Sequence, residues 1–485
     1  MEQKIIDLYT KTFGESPIKV EHLFGGGGSS RCYYIMTNQK GENVYGVSST
    51  SPDENEAFYN LSLLFAEKNL SVPQVYAISD DRLCYLQQEL GTITLKDFLA
   101  NCKTPSGEFT DKGVNMLKRV MSELPDIQFK GASEEVFKNC YPVPSLDRMS
   151  VMFDLNYFKY CFVKLLDIDF NEVLLQDDFE SFATDLLSEP FNTFLYRDFQ
   201  ARNIMIHNDT PYYIDYQGGR KGPIYYDVAS FLWQASAGYS DTLRNELINV
   251  YLKALSSYTS IKKETFMTQL MLFVLFRNLQ VLGAYGFRGL WEKKKHFIDS
   301  IPAGLSNLES LLTNGHIDKY PYLKIVAEKI IEKGKQMYNT VSNKKDESAT
   351  EGLTVQVTSF SFKKGIPQDE SGNGGGYVFD CRSTNNPGRY EEYKQLTGLD
   401  KPVIDFLEQD GEILNFLNNI YPLVDFHTKR FMDRGFTHLM ISFGCTGGRH
   451  RSVYSAQHVA EHIHKKFGVR VELLHREQGI YKVFE

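Results

Sequence analysis

The chain has little that would tie it to a membrane, a nucleic acid or an oxidising compartment. Seven cysteines among 485 residues, odd in number and irregular in spacing, argue against a disulfide framework. No apolar run reaches the length of a bilayer span, and the opening residues MEQKIIDLYTKTFGES have neither the basic start nor the apolar stretch of a secretion signal. The cytoplasm is the expected compartment, and no membrane partner is expected. A basic excess is missing too. The net charge is −8, and residues 354–485 hold 16 Lys+Arg against 16 Asp+Glu, so the whole acidic excess lies before them. Neither part has the footprint of an electrostatic nucleic-acid binder. No internal repeat is visible. With 42% hydrophobic and 24% charged residues the composition is that of ordinary globular domains, and the length calls for two or three of them.

What the sequence does contain is a dense run of chemistry, YRDFQARNIMIHNDTPYYIDYQGGRKGPIYYDVAS, from Tyr196 to Ser230. Asp198 precedes Asn203 by five positions, and Asp215 follows Asn203 by twelve. Phosphoryl transfer needs one carboxylate to orient and deprotonate the attacking hydroxyl, and an amide oxygen and a second carboxylate to hold Mg²⁺ against the phosphates of ATP. A loop followed by a hairpin supplies all three groups. Ile204-Met-Ile206 and Tyr212-Tyr-Ile214, on either side of Asn208-Asp-Thr-Pro211, read as its strands. Asp227 reads as a structural group bonding the catalytic-loop backbone.

Upstream, Gly25, Gly26, Gly27, Gly28, Ser29 and Ser30 lie between strand-like segments. Such a loop can lay backbone N–H groups over a triphosphate. Ser51-Pro-Asp-Glu54 is a helix start, with Phe58, Leu61, Leu64 and Phe65 on one apolar face. Glu89, Leu90 and Gly91 end a strand where a kinase hinge would meet adenine. One group is absent: a kinase places a Lys on the third strand to grip phosphates, and Val44-Tyr-Gly-Val-Ser-Ser-Thr50 has none. Met116 to about Thr340 is largely helical in pattern, and Asp154 and Arg202 are candidate substrate contacts.

Residues 1–338 resemble the aminoglycoside phosphotransferase/choline kinase superfamily, most of all the anomeric kinases of N-acetylmuramate and N-acetylglucosamine. The resemblance rests on Arg197-Asp198, Asn203, Asp215-Tyr-Gln217, Gly222-Pro223 and Tyr226-Asp227. It implies a bilobal α+β protein-kinase-like fold, a small antiparallel β lobe and a mainly helical lobe. It further implies Asp198 as catalytic base, Asn203 and Asp215 as metal ligands, and an amino sugar as acceptor. The anomeric sugar kinases lack the third-strand Lys as well.

Thr340 to Gly352 is almost wholly small or charged and reads as a solvated linker, so the boundaries expected are 1–338, 339–353 and 354–485. Beyond it, Thr354-Val-Gln-Val357, Tyr377-Val-Phe-Asp380 and His438 to Phe443 are strand-like, and the last runs into Gly444-Cys-Thr-Gly-Gly-Arg-His-Arg-Ser452 and a helix closing at Gly468. Strand, glycine-rich loop and helix collect N–H groups around an anion. Cys445 and Arg451 also show the C-x5-R spacing of cysteine-dependent phosphatases. Residues 354 to about 477 resemble the C-terminal domain of RapZ, an RNase adaptor that senses glucosamine-6-phosphate. The matching segments are Ser359 to Gly365, Asp380-Cys-Arg382, Asn386-Pro387, Leu396 to Val403, Gly444 to Val453 and His475-Arg476. The resemblance implies a small α/β domain with a phosphosugar site at Arg382, Cys445, Thr446, Gly447, Gly448, His450 and Arg451, and favours binding over catalysis. The family His after Asn-Pro is Gly388 here and no basic tail follows, which speaks against RNA as a partner. His458-Val-Ala-Glu-His462 fits a zinc-protease pattern without a third ligand, and reads as a solvated helix face.

The leading expectation is an amino-sugar kinase with an amino-sugar-phosphate-sensing domain. A non-catalytic sensor with a degenerate kinase fold, and a kinase for an aminoglycoside or choline-like alcohol, are the alternatives.

Overall fold

The computed structural model describes residues 2–23, 31–105, 107–234, 237–345, 352–369 and 375–485, with backbone only for 337–345. The expected glycine-rich loop, Gly25 to Ser30, lies outside them. The chain divides into two units, Met1–Thr340 and Val341–Glu485.

The first unit opens with a five-stranded antiparallel sheet, in the order β1-β2-β3-β5-β4. Its strands are β1 (Lys19–Leu23), β2 (Cys32–Thr37), β3 (Asn43–Ser48), β4 (Val75–Ile78) and β5 (Cys84–Gln88). The helix Glu2–Phe13 covers one face through Ile5, Leu8 and Tyr9, all buried. The helix Pro52–Glu67 buries Phe58, Leu61 and Phe65, the apolar face expected from their spacing. Each such side chain contributes about 1.5–3 kcal/mol. The helix starts at Pro52 as read from Ser51 to Glu54, although Ser51 makes no side-chain cap. Glu54 is engaged instead by Arg31 and Gln217, because a charged guanidinium donor, joined by a neutral amide donor, outcompetes a single backbone N–H.

Among the described residues, the remainder of this unit is mainly helical, with two short ribbons. β6 (Thr193–Leu195) pairs with β9 (Arg220–Gly222), and β7 (Ile204–His207) pairs with β8 (Thr210–Tyr213). Asn208 and Asp209 have φ of 50° and 54°, the left-handed pair of a two-residue hairpin turn. A small antiparallel lobe followed by a mainly helical lobe is the bilobal kinase-like architecture expected.

Two expectations need correction. One helix, Lys263–Trp291, is long and apolar enough to cross a membrane, although no apolar run of that length was expected. Some 67% of its apolar stretch is buried, and it carries Arg277, Asn278 and Gln280 among its buried residues, as the central helix of a core does. The helix Pro321–Lys345 also continues six residues into the expected solvated stretch, since Lys, Asn and Ser extend a helix already nucleated upstream at little cost.

The second unit is an α/β domain around a mixed sheet ordered β11-β12-β10-β13-β14. Its strands are β10 (Thr354–Ser361), β11 (Gly376–Asp380), β12 (His438–Cys445), β13 (Arg470–His475) and β14 (Ile480–Phe484). β11, β12, β10 and β13 are parallel, and β14 joins antiparallel. Val355, Val357, Ile441, Phe443 and Val471 form its fully buried centre, which explains why His438 to Phe443 in β12 reads as a mostly apolar run; β10 instead mixes Val355 and Val357 with polar residues, and it buries Thr358, Ser359 and Ser361 as well.

Candidate active site and second-unit loop

The loop between β6 and β7 carries Asp198 and is held by a buried carboxylate. Asp227, fully buried in the helix Tyr225–Leu232, accepts from the N–H of Tyr196 and of Arg197 at 2.9 Å each. Burial pushes its carboxyl up to about 7, against those two donors. The structural role expected of Asp227 is therefore seen directly. The anchoring is needed because Arg197 and Asp215 have φ of 77° and 67°, a left-handed backbone that costs non-glycine residues about 1–2 kcal/mol each.

Asn203 donates its amide N–H to the Asp198 carbonyl at 2.9 Å, which leaves the amide oxygen as the atom able to take a cation. The N–H of Ile214 bonds the Asn203 carbonyl at 3.1 Å, so the hairpin brings the end of β8, and Asp215 with it, back beside Asn203. Desolvation in the cleft raises the Asp215 carboxyl, and the nearby Asp198 charge adds to it. A divalent cation would relieve both effects. Among the described residues no three His, Cys, Asp or Glu side chains gather into a self-sufficient metal site. One amide and one carboxylate suit Mg²⁺, whose remaining ligands are phosphate oxygens and water.

Asp198 and Asp154 sit in one polar network. Arg277 Nη2 lies 3.3 Å from Asp198 Oδ1, Arg277 Nη1 bonds Gln280, and Gln280 Nε2 donates to Asp154 Oδ2 at 2.7 Å. Asp154 is buried, and its carboxyl is raised mainly by burial, against the pull of Arg197. All of these groups, with Arg202, line a cavity of about 490 Å³. The structure thus brings the two candidate substrate contacts to the same hollow as Asp198. Arg277 was missed from the sequence. It stands 79 positions from Asp198, in the middle of an apolar helix, and only its charge on a buried face could have flagged it.

Arg31 was missed too. Its Nη2 is 2.8 Å from Glu54 Oε1 and its Nη1 3.3 Å from Asp215 Oδ1. Gln217 bridges the same two carboxylates at 3.1 and 2.8 Å. Ser62 in the helix of Glu54 meets the buried Tyr216 hydroxyl at 2.6 Å, which fixes that helix on the Asp215 segment. At the expected hinge, Gly91 is already engaged: its N–H goes to Glu89 Oε1 at 2.6 Å and its carbonyl takes the Tyr45 hydroxyl at 3.1 Å. An adenine there would meet the backbone of Glu89 and Leu90 and the second lone pair of the Gly91 carbonyl.

In the second unit β12 ends at Cys445, and the helix Arg451–Phe467 starts six residues later and closes at Gly468, which has φ of 62°. Burial opposes ionisation of the Cys445 thiol. Hydrogen bonds from the Ser452 side chain and the N–H groups of Ser452, Arg449 and Gly448 outweigh it and hold the thiol below its usual range. Cys445 is only 3% exposed, so the sulfur organises the loop from beneath while Thr446 and Gly447 face outward. Arg451 Nη1 donates to the carbonyls of Thr384 and Arg382 at 2.8 and 3.2 Å, tying the segment after β11 to the helix start. Arg382 pairs with Asp380 and lies over the Phe362 ring. His450, its basicity lowered mainly by burial, bonds the Tyr393 carbonyl at 2.9 Å. A Cβ at Gly388 would stand 3.5 Å from the His450 ring, so the position where the family His is replaced adjoins this loop. His462 is engaged by Asp425 at 2.8 Å and stacks near Tyr421.

Both units of the chain are similar to known proteins. Residues 353–479 match the RapZ C-terminal domain and residues 160–262 match the phosphotransferase enzyme family. Two domain types are joined in one chain. A nucleotide-binding protein of Glaesserella parasuis serovar 5 (strain SH0165) is 36% identical over 149 residues, 31% of this chain and 48% of that protein. One from Histophilus somni (strain 2336) is 39% identical over 124 residues, 26% of this chain and 41% of that protein. The chain therefore spans less than half the length of these curated relatives. Among solved structures, a choline kinase from Cryptosporidium parvum Iowa II has a TM-score of 0.44 at 12% identity, covering 67% of this chain and 99% of that one. Plasmodium vivax ethanolamine kinase has a TM-score of 0.43 at 12% identity, covering 59% and 81%.

Proposed function

We propose that the first unit transfers the γ-phosphate of ATP to a hydroxyl of an amino sugar, the anomeric hydroxyl of N-acetylmuramate or N-acetylglucosamine, and that the second unit binds an amino-sugar phosphate. The observation that carries the reading is the meeting of Asp198, Asn203 and Asp215 on one anchored loop and hairpin, with Asp198 also lining the cavity. In this reading Asp198 takes the acceptor proton, and Arg277 keeps its carboxylate in place. Asn203 and Asp215 would hold Mg²⁺, which neutralises charge on the transferred phosphoryl group. Glu89 and Leu90 are the adenine segment, and Gly25 to Ser30 the nucleotide loop.

The charges of the cavity support this choice of acceptor. Lys96, Arg197, Arg202 and Arg277 face Asp154 and Asp198 there, four cations against two carboxylates. An aminoglycoside or choline would bring further positive charge among them, whereas the carboxylate of N-acetylmuramate would find partners. Tyr157, Trp233 and Tyr285 supply aromatic walls suited to a sugar ring.

The loop Thr446 to Gly448, with Arg382, His450 and Arg451, is the proposed phosphosugar site. Its support is the parallel strand, glycine loop and helix start, where N–H groups and the helix dipole favour an anion. A second reading, a sensor without catalysis, is favoured by the lack of Lys on β3. Measuring ADP release with N-acetylmuramate, N-acetylglucosamine, choline and an aminoglycoside decides among them, with ³¹P NMR locating the new phosphate. Release with choline or aminoglycoside alone overturns the acceptor, and ATP binding without release under any acceptor selects the sensor.

A further inference from the structure

We infer that Arg31 is the side chain that grips the nucleotide phosphates, replacing the lysine that β3 lacks. The inference rests on the phosphoryl-transfer reading of the first unit. β3, Asn43-Val-Tyr-Gly-Val-Ser48, carries no cation at all. Arg31 immediately precedes β2, which pairs antiparallel with β3 in the register Cys32 to Ser48. The cation has moved across one strand of the same sheet, to the end of β3 nearest the helix of Glu54.

Its partners are those a phosphate-gripping cation needs. A kinase lysine is positioned by a glutamate from the helix packed on the small lobe. Glu54, in the helix Pro52–Glu67, makes that contact with Arg31 at 2.8 Å. The same guanidinium reaches Asp215, the proposed metal carboxylate, at 3.3 Å. The Arg31 side chain is only 7% exposed, and a buried cation is retained only where carboxylates or phosphates compensate it.

The two distances have different consequences. At 2.8 Å the Glu54 pair is a full charge-assisted hydrogen bond, whereas 3.3 Å to Asp215 is at the weak end of the range. The Asp215 contact is the one that a phosphate oxygen can replace, while Glu54 keeps the guanidinium in position. Gln217, bonded to both carboxylates, holds their spacing through such an exchange. A planar guanidinium offers phosphate two parallel donors, so Arg at this place is an alternative to Lys rather than a defect. The missing lysine then no longer argues for a sensor.

Calorimetric titration of the full chain with ATP and with adenosine, both in Mg²⁺, tests the assignment. Wild type is expected to bind ATP more tightly than adenosine. Arg31→Ala should lose about 10- to 100-fold in ATP affinity, the range for one hydrogen bond to a charged group, with adenosine affinity within about twofold. Arg31→Lys should recover part of the loss, and Glu54→Gln should show a smaller loss, also confined to ATP. ATP affinity unchanged in Arg31→Ala, or equal losses for ATP and adenosine, would overturn the inference, since a purely structural arginine affects both ligands alike. Should Arg31→Ala not fold, Glu54→Gln decides: a loss confined to ATP supports the assignment and an equal loss refutes it. If wild type shows no preference for ATP over adenosine, the phosphoryl-transfer reading itself fails and the role of Arg31 with it.

Discussion

Replacing Asp198 by Asn separates chemistry from structure, because the fold depends on this carboxylate very little. Its side chain is 40% exposed, and its ion-pair partner is Arg277 at 3.3 Å. Asn keeps an oxygen at the same place to accept from Arg277. The lost Coulomb attraction is that of a long contact whose carboxylate is half-exposed but whose arginine is nearly buried, and Arg277 keeps its bond to Gln280, so the stability change should stay within about 1–2 kcal/mol. The chemical step has no such reserve. A positioned general base contributes about 10²–10⁴ in rate, and at 1.36 kcal/mol per tenfold this raises the barrier by about 3–5 kcal/mol. Turnover measured by coupled ADP release should therefore fall at least about a hundredfold. Thermal midpoint and Mg–ATP affinity, read by calorimetry on the same samples, should hardly move. Turnover within about threefold of wild type would refute the assignment of Asp198 as base. A collapse of the thermal midpoint would refute the claim that the loop is held by Asp227 and not by Asp198.

Three further outcomes are expected. Asp215→Asn should weaken nucleotide binding by about tenfold or more in Mg²⁺, with little change in EDTA; equal affinities in Mg²⁺ would remove Asp215 from the metal site. Cys445→Ser should preserve phosphosugar affinity, because the sulfur lies beneath the loop at 3% exposure, and wild type should not hydrolyse phosphomonoesters. Phosphatase activity that vanishes in Cys445→Ser would make the second unit an enzyme. His475 is fully buried, and burial depresses its pKa from 6.5 to about 4. Between those values the unfolded chain binds the proton and the folded one does not, so stability is lost as pH falls through that window, by about 3 kcal/mol in all. Denaturant midpoints at pH 7.5 and 4.5 should show this loss, and His475→Gln should reduce it; an unchanged pH dependence in the variant would place the titrating group elsewhere.

The sequence alone determined those features that depend on short-range order. Asp198, Asn203 and the hairpin strands lie in one short run, so the hairpin was legible, although its turn is Asn208 and Asp209 alone and not Asn208 to Pro211, which brings Pro211 into β8 opposite Ile206. The apolar stripe of Phe58, Leu61 and Phe65 and the buried run of β12 were legible for the same reason, since local pattern records which face is covered. The tertiary structure decided what depends on distant partners. Arg31 meets Asp215 across 184 positions and Arg277 meets Asp198 across 79, and no local pattern distinguishes such a cation from a solvated one. Glu54 illustrates the difference most clearly. Local spacing offered it to the helix cap at Ser51, but two donors brought from elsewhere in the fold took it, because a charged hydrogen bond in a half-buried cleft is stronger than a cap in water.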